Sequence, residues 1–401
     1  MIVLNEKQQQ FVDLAIDWFR HSSSPLIQLA GYAGTGKSVV IAEIIKRLNL
    51  SPSEVLPMAY TGQACTIMRK RGFSNACTCH SGLFYPIQEN AIDETSGLPI
   101  MHKTFNVPLT QWKFIPKDFS TSNIKLIILD EAWMIPKKFK RFIDATNIKV
   151  IAAGDPNQLP PIADDPGYLL DGDIFYLTEL VRQSEQSPII YLANRIREKL
   201  PIEFGNYGDN VLVISPNDLS NEMLSVADVV LCCTNDTRDN MNSKIRSEIK
   251  NINTNFPLYG ERIICRKNNW KKEVDGIPLV NGLTGTIVSP SGIDRFNGET
   301  LKIDFLADML DRPFTNIDIN FKYINATHKE KQALNNNPYL KGERFEYAYA
   351  STVHLSQGSE YQKGIYISEP FDSRIAPALN YTAITRFKDK LIYVKRQRQF
   401  W

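Results

Sequence analysis

No apolar run in the 401-residue chain approaches the ~18 residues that cross a bilayer, so a helical membrane protein is excluded. The chain also lacks a basic segment leading into an apolar one behind Met1, and without that signal pattern the expected location is the cytoplasm. Cysteine is sparse. Six thiols at 65, 77, 79, 232, 233 and 265 make neither a disulfide framework nor the paired CxxC spacing of a zinc site, and Cys77, Cys79 and His80 lie too close together in sequence to surround one ion. Net charge is nearly absent, since 46 Lys and Arg face 44 Asp and Glu for a formal +2, so an anionic ligand must be gripped locally. What remains, 43% hydrophobic and 22% charged, is an ordinary globular composition in a chain long enough for two or three domains.

Buried strands and helical stretches alternate through the first 160 residues. "PLIQLAG" (25–31), "VLPMAYTG" (55–62), "KLIILDEA" (125–132) and "KVIAAGD" (149–155) have the unbroken apolar character of strands covered on both faces. "KSVVIAEIIKRL" and "KKFKRFIDAT" between them carry helical spacing. The alternation predicts an α/β fold with a parallel sheet, whose ligands sit at the carboxyl ends of the strands. From about 166 onward a second set, "DVVLCCT", "YAYASTV", "KGIYIS" and "KLIYVKR", with "SPIIYLANRIREKL" as a helix, predicts another such sheet.

The sharpest signal is "GYAGTGKS" (31–38), which fits G-x-x-x-x-G-K-[ST] between a strand and a helix. Gly31, Gly34 and Gly36 let the backbone curl so that N–H groups along Gly31, Ala33, Gly34, Thr35 and Gly36 face phosphate oxygens at a helix N-terminus. Lys37 would reach the β- and γ-phosphates and Ser38 would ligate Mg²⁺. "LIILDEAW" (126–133) ends a strand in two acids, Asp130 to hold Mg²⁺ and Glu131 to orient or deprotonate the attacking water. Alone, such a pair is as good a solvated turn or helix cap. In "IAAGDPNQLPPI" (151–162) a strand end needs only the turn that Gly154 and Pro156 supply, so Asp155 and Gln158 ask for a further reason.

In this order the segments resemble the superfamily 1 helicases of the RecD and Dda group, over nearly the whole chain. "LNEKQQQFV" (4–12) is similar to the adenine-reading Q motif, with Gln8 in the family's position. "GYAGTGKS" resembles motif I, "AYTGQAC" (59–65) motif Ia, "CTCHSGLF" (77–84) motif Ib, "LDEAW" motif II and "GDPNQLPPI" motif III. "LTELVRQSE" (177–185) resembles motif IV, "YASTVHLSQGSEY" (349–361) motif V and "LNYTAITRFKDKLIYV" (379–394) motif VI. The resemblance implies two RecA-like parallel-sheet domains in tandem, 1–165 and 166–401, with ATP and Mg²⁺ between them. It implies that Lys37, Glu131, Gln158 and two cis arginine fingers, Arg182 and Arg386, carry hydrolysis, with Gln158 coupling it to the grip on DNA. Gly358 would face the phosphates and Glu360 the ribose, while Thr61, Gln63, His80, Thr352 and His354 would lie along DNA.

Two insertions are expected. Residues 84–120 predict two short strands around a polar turn at Asp93–Gly97, and in relatives such an insertion is a pin that splits the duplex. Residues 266–345, with "LVNGLTGTIV", "TLKIDFL" and "IDINFKYI", resemble a small SH3-like β-barrel. Trp133, Gln63 and Phe387 stand where the family favours Ser, Lys and Ala. The implied protein is a monomeric ATP-dependent helicase that moves five-prime to three-prime on single-stranded DNA and opens duplexes at a single-strand/duplex junction, with a single-strand-binding protein or replisome component as a further partner. The compact chain resembles phage Dda-type proteins more than the larger RecD ones, which implies a phage-infected or prokaryotic cell. Two other readings stay open, another DNA-stimulated ATPase motor and a module that holds nucleotide and single-stranded DNA without unwinding.

Overall fold

Leu26–Gly31, Val55–Ala59, Leu126–Leu129 and Lys149–Gly154 are buried almost throughout, as continuous apolar strands with both faces covered must be. They form a computed structural model's first sheet, in which the described residues are 4–395 apart from 94, 95, 97, 102–106, 163, 181–186, 290–294, 309 and 338. The sheet is parallel, in the order Cys77–Thr78, Val55–Ala59, Leu126–Leu129, Lys149–Gly154, Leu26–Gly31, Ile174–Leu177. Its last strand lies beyond residue 165, so the first sheet extends past the boundary expected from sequence; "IFYL" is apolar but only four residues long and half-exposed, an edge strand too short to announce itself by period. Helices Glu6–His21 and Lys37–Leu48 cover it through Phe11, Val12, Ala15, Val40, Ile41 and Ile44.

The second sheet runs Ala350–Thr352, Val229–Cys232, Tyr361–Ile367, Phe387–Val394, Val211–Ile214, Gly205–Tyr207. Its neighbouring pairs from Val229–Cys232 through Val211–Ile214 are parallel, and Gly205–Tyr207 closes the edge antiparallel. Both sheets belong to one compact unit, Met1–Leu83, Asp118–Thr234 and Ser351–Trp401. Phe387, unusual for its motif, fits because Gly364 faces it: a Cβ there would overlap the Phe387 ring.

A second unit comprises Phe84–Lys117 and Asn235–Ala350. Its centre is an antiparallel sheet in the order Phe314–Asn320, Thr300–Ala307, Thr284–Ile287, Arg262–Cys265, Phe345–Tyr347, closed on Phe305, Phe345 and Ile319. The sheet starts at Arg262, ahead of the expected 266. "YAYASTV" divides between this sheet and the second parallel one, and "IDINFKYI" turns from strand to helix at Phe321, where the Asn320 side chain accepts from Tyr323 N and caps the turn. In the first insertion Phe84–Asn90 pairs with Thr110–Pro116, a longer hairpin than the turn at 93–97 suggested. Pro86 and Phe114 pair across it, and Phe114 meets Trp270 edge-on at 6.0 Å. No helix among the described residues is long and apolar enough to cross a membrane.

Candidate functional site

The loop from Gly31 to Ser38 joins strand Leu26–Gly31 to helix Lys37–Leu48. Gly34 and Gly36 have φ of 84° and 81°, left-handed values that cost a side chain about 1–2 kcal/mol, so glycine is what permits the curl. A Cβ on Gly31 would stand 2.6 Å from Thr35 Oγ1. Gly36 caps the helix without a side chain, leaving the first-turn N–H groups of Lys37–Leu48 for an anion. Lys37 Nζ donates to the carbonyls of Gly31 (2.7 Å) and Tyr32 (3.2 Å), which holds the ammonium over the loop. Gln8 is buried beneath: its Oε1 accepts from Asn5 N in a capping box and its Nε2 donates to Thr35 O at 2.9 Å. The expected adenine reader thus also fastens the first helix to the loop.

Asp130 and Glu131 follow Leu126–Leu129 directly. Asp130 Oδ1 accepts from Glu131 N at 2.9 Å, and Glu131 takes a φ of 49°, a strained setting for a non-glycine residue that fixes where its carboxylate points. Burial pushes the Glu131 carboxyl above its usual pKa, and the Arg386 guanidinium opposes the rise. A serine hydroxyl and an aspartate carboxylate, at Ser38 and Asp130, are the hard oxygen donors that Mg²⁺ accepts alongside phosphate oxygens. Among the described residues no group of three or more His, Cys, Asp or Glu is gathered to hold a metal.

Arg386 is brought to these groups by the second sheet. It follows helix Ala376–Ile384 and is 4% exposed, with Nη2 donating to Gln158 Oε1 at 3.0 Å and Nη1 lying 3.7 Å from Glu131 Oε1. Gln158 is itself buried on the loop after Lys149–Gly154. That loop is held at several points. Asp155 accepts through Oδ1 from Asn157 N and Nδ2, both at 3.0 Å. Leu159 N donates to Thr382 Oγ1 at 2.9 Å, and Leu159 O accepts from Gln357 Nε2 at 3.0 Å. Arg182, the other expected finger, lies outside the described residues.

Three contributors carry no signal of their own in the sequence. Trp133, the departure from the family's small residue, donates from Nε1 to Gln158 O at 2.9 Å and so pins the carbonyl of the loop whose side chain meets Arg386. Tyr381 is fully buried; its hydroxyl donates to Asp155 Oδ2 at 2.6 Å and accepts from Ala33 N at 3.1 Å. Arg71, at the end of helix Gly62–Lys70, donates to Ser38 Oγ at 2.6 Å and to Glu360 Oε1 at 2.7 Å, and Lys388 pairs with the same Glu360. The one available clue was that a buried tyrosine hydroxyl or tryptophan N–H must find a partner.

The expected DNA residues are scattered over the same unit. Thr61 caps helix Gly62–Lys70 by accepting from Ala64 N, and its hydroxyl donates to Gln357 O at 3.4 Å. Gly358, φ 77°, permits that approach, since a Cβ would come 2.5 Å from Thr61 Oγ1. Gln63 is half-buried in the helix's first turn. His80 packs edge-on against Phe139 at 4.7 Å, and burial, with Lys138, brings its pKa down to about 4. Thr352 is buried, its hydroxyl accepting from Leu355 N, whereas His354 is half-buried beside Phe371 with a pKa lowered by burial.

Residues 15–164 match a family model described as an AAA domain. The chain is 24% identical over 433 residues to the RecBCD enzyme subunit RecD of Buchnera aphidicola subsp. Acyrthosiphon pisum, covering 91% of this chain and 70% of that protein. It is 24% identical over 169 residues to the uncharacterized protein R530 of Acanthamoeba polyphaga mimivirus, covering 40% of this chain but only 34% of that one, about a third of its length. Among solved structures, the Pif1 helicase from Candida albicans is 18% identical with a TM-score of 0.52, covering 98% of this chain and 95% of that one. Bacteroides Pif1 bound to ssDNA is 18% identical with a TM-score of 0.55, covering 98% and 93%. The likeness shows the fold: two RecA-like parallel-sheet domains in tandem, as in these helicase structures.

Proposed function

We propose that the protein is an ATP-dependent DNA helicase of superfamily 1, in the RecD and Dda group. The observation that carries this is Arg386. A cation from the second sheet meets Gln158 and Glu131, the two groups of the first sheet assigned to the γ-phosphate and the attacking water. Phosphoryl transfer spreads negative charge over the terminal phosphate, and a guanidinium arriving from the opposite sheet neutralises charge that the phosphate loop leaves uncovered. Glu131, its proton affinity raised by burial, suits the role of base toward water. Lys37 and the loop amides bind the phosphates, Gln8 stands at the adenine end, and Glu360 stands toward the ribose. Mg²⁺ held by Ser38 and Asp130 would supply positive charge against the phosphate oxygens.

ATP then closes the two sheets on each other, loss of the γ-phosphate releases them, and Gln158 passes the change to the DNA grip. Thr61, Gln63, His80, Thr352 and His354 are assigned to the DNA track, with Arg182 as the second finger. The two RecA-like domains are assigned with their boundary after strand Ile174–Leu177 rather than at 165, the hairpin as the duplex-splitting pin and the antiparallel sheet as the SH3-like barrel. The RecD and Pif1 likenesses, and the single-stranded DNA bound by the Bacteroides protein, support single-stranded DNA and the duplex junction as partners. Movement five-prime to three-prime as a monomer, a Dda-like affinity, a single-strand-binding protein or replisome component as partner, and a place in the cytoplasm of a prokaryotic or phage-infected cell complete the reading. The test is unwinding of tailed duplexes of each polarity, as DNA and as RNA, with and without ATP. ATP-dependent opening of the five-prime-tailed DNA is expected. ATPase activity indifferent to DNA, or no opening of any substrate, would contradict the proposal.

A further inference from the structure

We infer that the phenol of Tyr381 is a positioning group that links the phosphate loop to the Asp155–Gln158 turn and so makes the grip on DNA depend on which nucleotide is bound. The inference rests on the helicase reading above. A buried phenol needs partners for both its proton and its oxygen, and Tyr381 takes them from two different loops of the first sheet, although it rides on a helix of the second. Its oxygen accepts from Ala33 N, inside the phosphate loop, and its proton goes to Asp155 Oδ2, at the root of the turn that carries Gln158. Burial and the neighbouring Asp155 carboxylate push the phenol's pKa well above its usual value, so the hydroxyl keeps its proton and remains a donor.

The neighbouring residue extends the connection. Thr382 Oγ1 accepts from Leu159 N, so consecutive residues of one helix hold both ends of the Asp155–Leu159 turn. Asp155 in turn fixes Asn157 through two hydrogen bonds. Ala33 N–H is the switching point. A phosphate oxygen is a charged acceptor and a phenol oxygen a neutral one, so a terminal phosphate reaching the loop wins that N–H, because charge-assisted hydrogen bonds are roughly twice as strong. The phenol then keeps only Asp155 and shifts with it, and the Gln158 turn follows. ADP lacks the γ-phosphate that would take the N–H, so wherever the sheets still meet the phenol keeps it; the closing force that ATP adds comes from Arg386 on the terminal phosphate, not from this bridge. These are two discrete arrangements whose balance the nucleotide sets.

The experiment measures the affinity of the full chain for fluorescein-labelled oligo(dT), by anisotropy, with Mg²⁺ and either a non-hydrolysable ATP analogue or ADP. In the wild type the two affinities should differ by about tenfold, an ordinary size for coupling between sites. Tyr381→Phe keeps the ring in its core and removes only the hydroxyl; the ratio should fall to within about twofold of one. Asp155→Asn turns the acceptor of the phenol proton into a mixed group and should collapse the ratio similarly, and it serves as the test should Tyr381→Phe fold poorly. The double variant should be no worse than either single one, because groups on one relay do not add. A residue that merely packs would leave the ratio unchanged, so retention of the wild-type ratio in Tyr381→Phe, or in Asp155→Asn, overturns the inference. A wild-type ratio near one would overturn the helicase reading and this inference with it.

Discussion

The two parallel sheets are alike in build and differ in what their strand ends carry. The first ends its strands in the groups proposed to bind nucleotide: the curled loop at Gly31–Ser38, the acids Asp130 and Glu131, and the Gln158 turn. The second has no phosphate loop, and offers instead groups that reach across, Arg386, Tyr381, Thr382 and Gln357, each hydrogen-bonded to a first-sheet loop. Duplicating a fold thus need not duplicate a site. In the proposed function one copy holds the substrate while the other completes the chemistry, so that the closed pair is the competent one.

That division makes kinetic predictions, because a group that binds the ground state changes KM and one that acts only in the transition state changes kcat alone. Lys37→Ala should be the most damaging, lowering turnover by about 10³-fold, the upper range for losing one charge-stabilising group, and raising KM as well. Arg386→Ala should lower kcat by about 10²-fold with KM and DNA affinity held within about twofold. A KM effect as large as that of Lys37→Ala would erase the contrast between the sheets. Gln158→Ala should keep nucleotide affinity but lose base pairs opened per ATP, read from paired ATPase and unwinding assays; unchanged coupling would remove Gln158 from the relay. Trp133→Phe, which deletes the hydrogen bond to Gln158 O, should do the same more mildly, at about 1 kcal/mol of loop stability.

The smallest effect is on pH. His80 titrates near 4 when folded against an ordinary 6.5, so the unfolded chain binds the extra proton between those values. Its contribution to stability is therefore whole above about pH 6.5 and is lost as pH falls toward 4. Urea unfolding of wild type and His80→Gln across that window should show a steeper fall for the wild type, and parallel curves would contradict the assignment.

Much of the first sheet was legible because its strands are continuous apolar runs and its loop has a fixed glycine pattern. The second was harder. Its partners sit far off in sequence: Asp155 and Tyr381 are 226 residues apart, and Gln158 and Arg386 are 228, so no local period announces them. Trp133 looked like a defect in its motif until its N–H was seen to hold Gln158 O. Gln8 and Thr352 show the converse. The resemblance implied ligand contacts for them, and their side chains cap helix or loop ends, a role open to Ser, Thr and the amides. Strand Ile174–Leu177 escaped because four apolar residues are too short a run to be told from a helix segment or a loop by period.

The most direct measurement is a crystal structure of the protein with single-stranded DNA, Mg²⁺ and an ATP transition-state analogue. One nucleotide touched by both sheets predicts the Arg386 guanidinium at about 3 Å from an oxygen of the terminal phosphate mimic, with Lys37 on the other side. A closed complex in which Arg386 remains on Gln158, beyond a side chain's reach of that group, would contradict it.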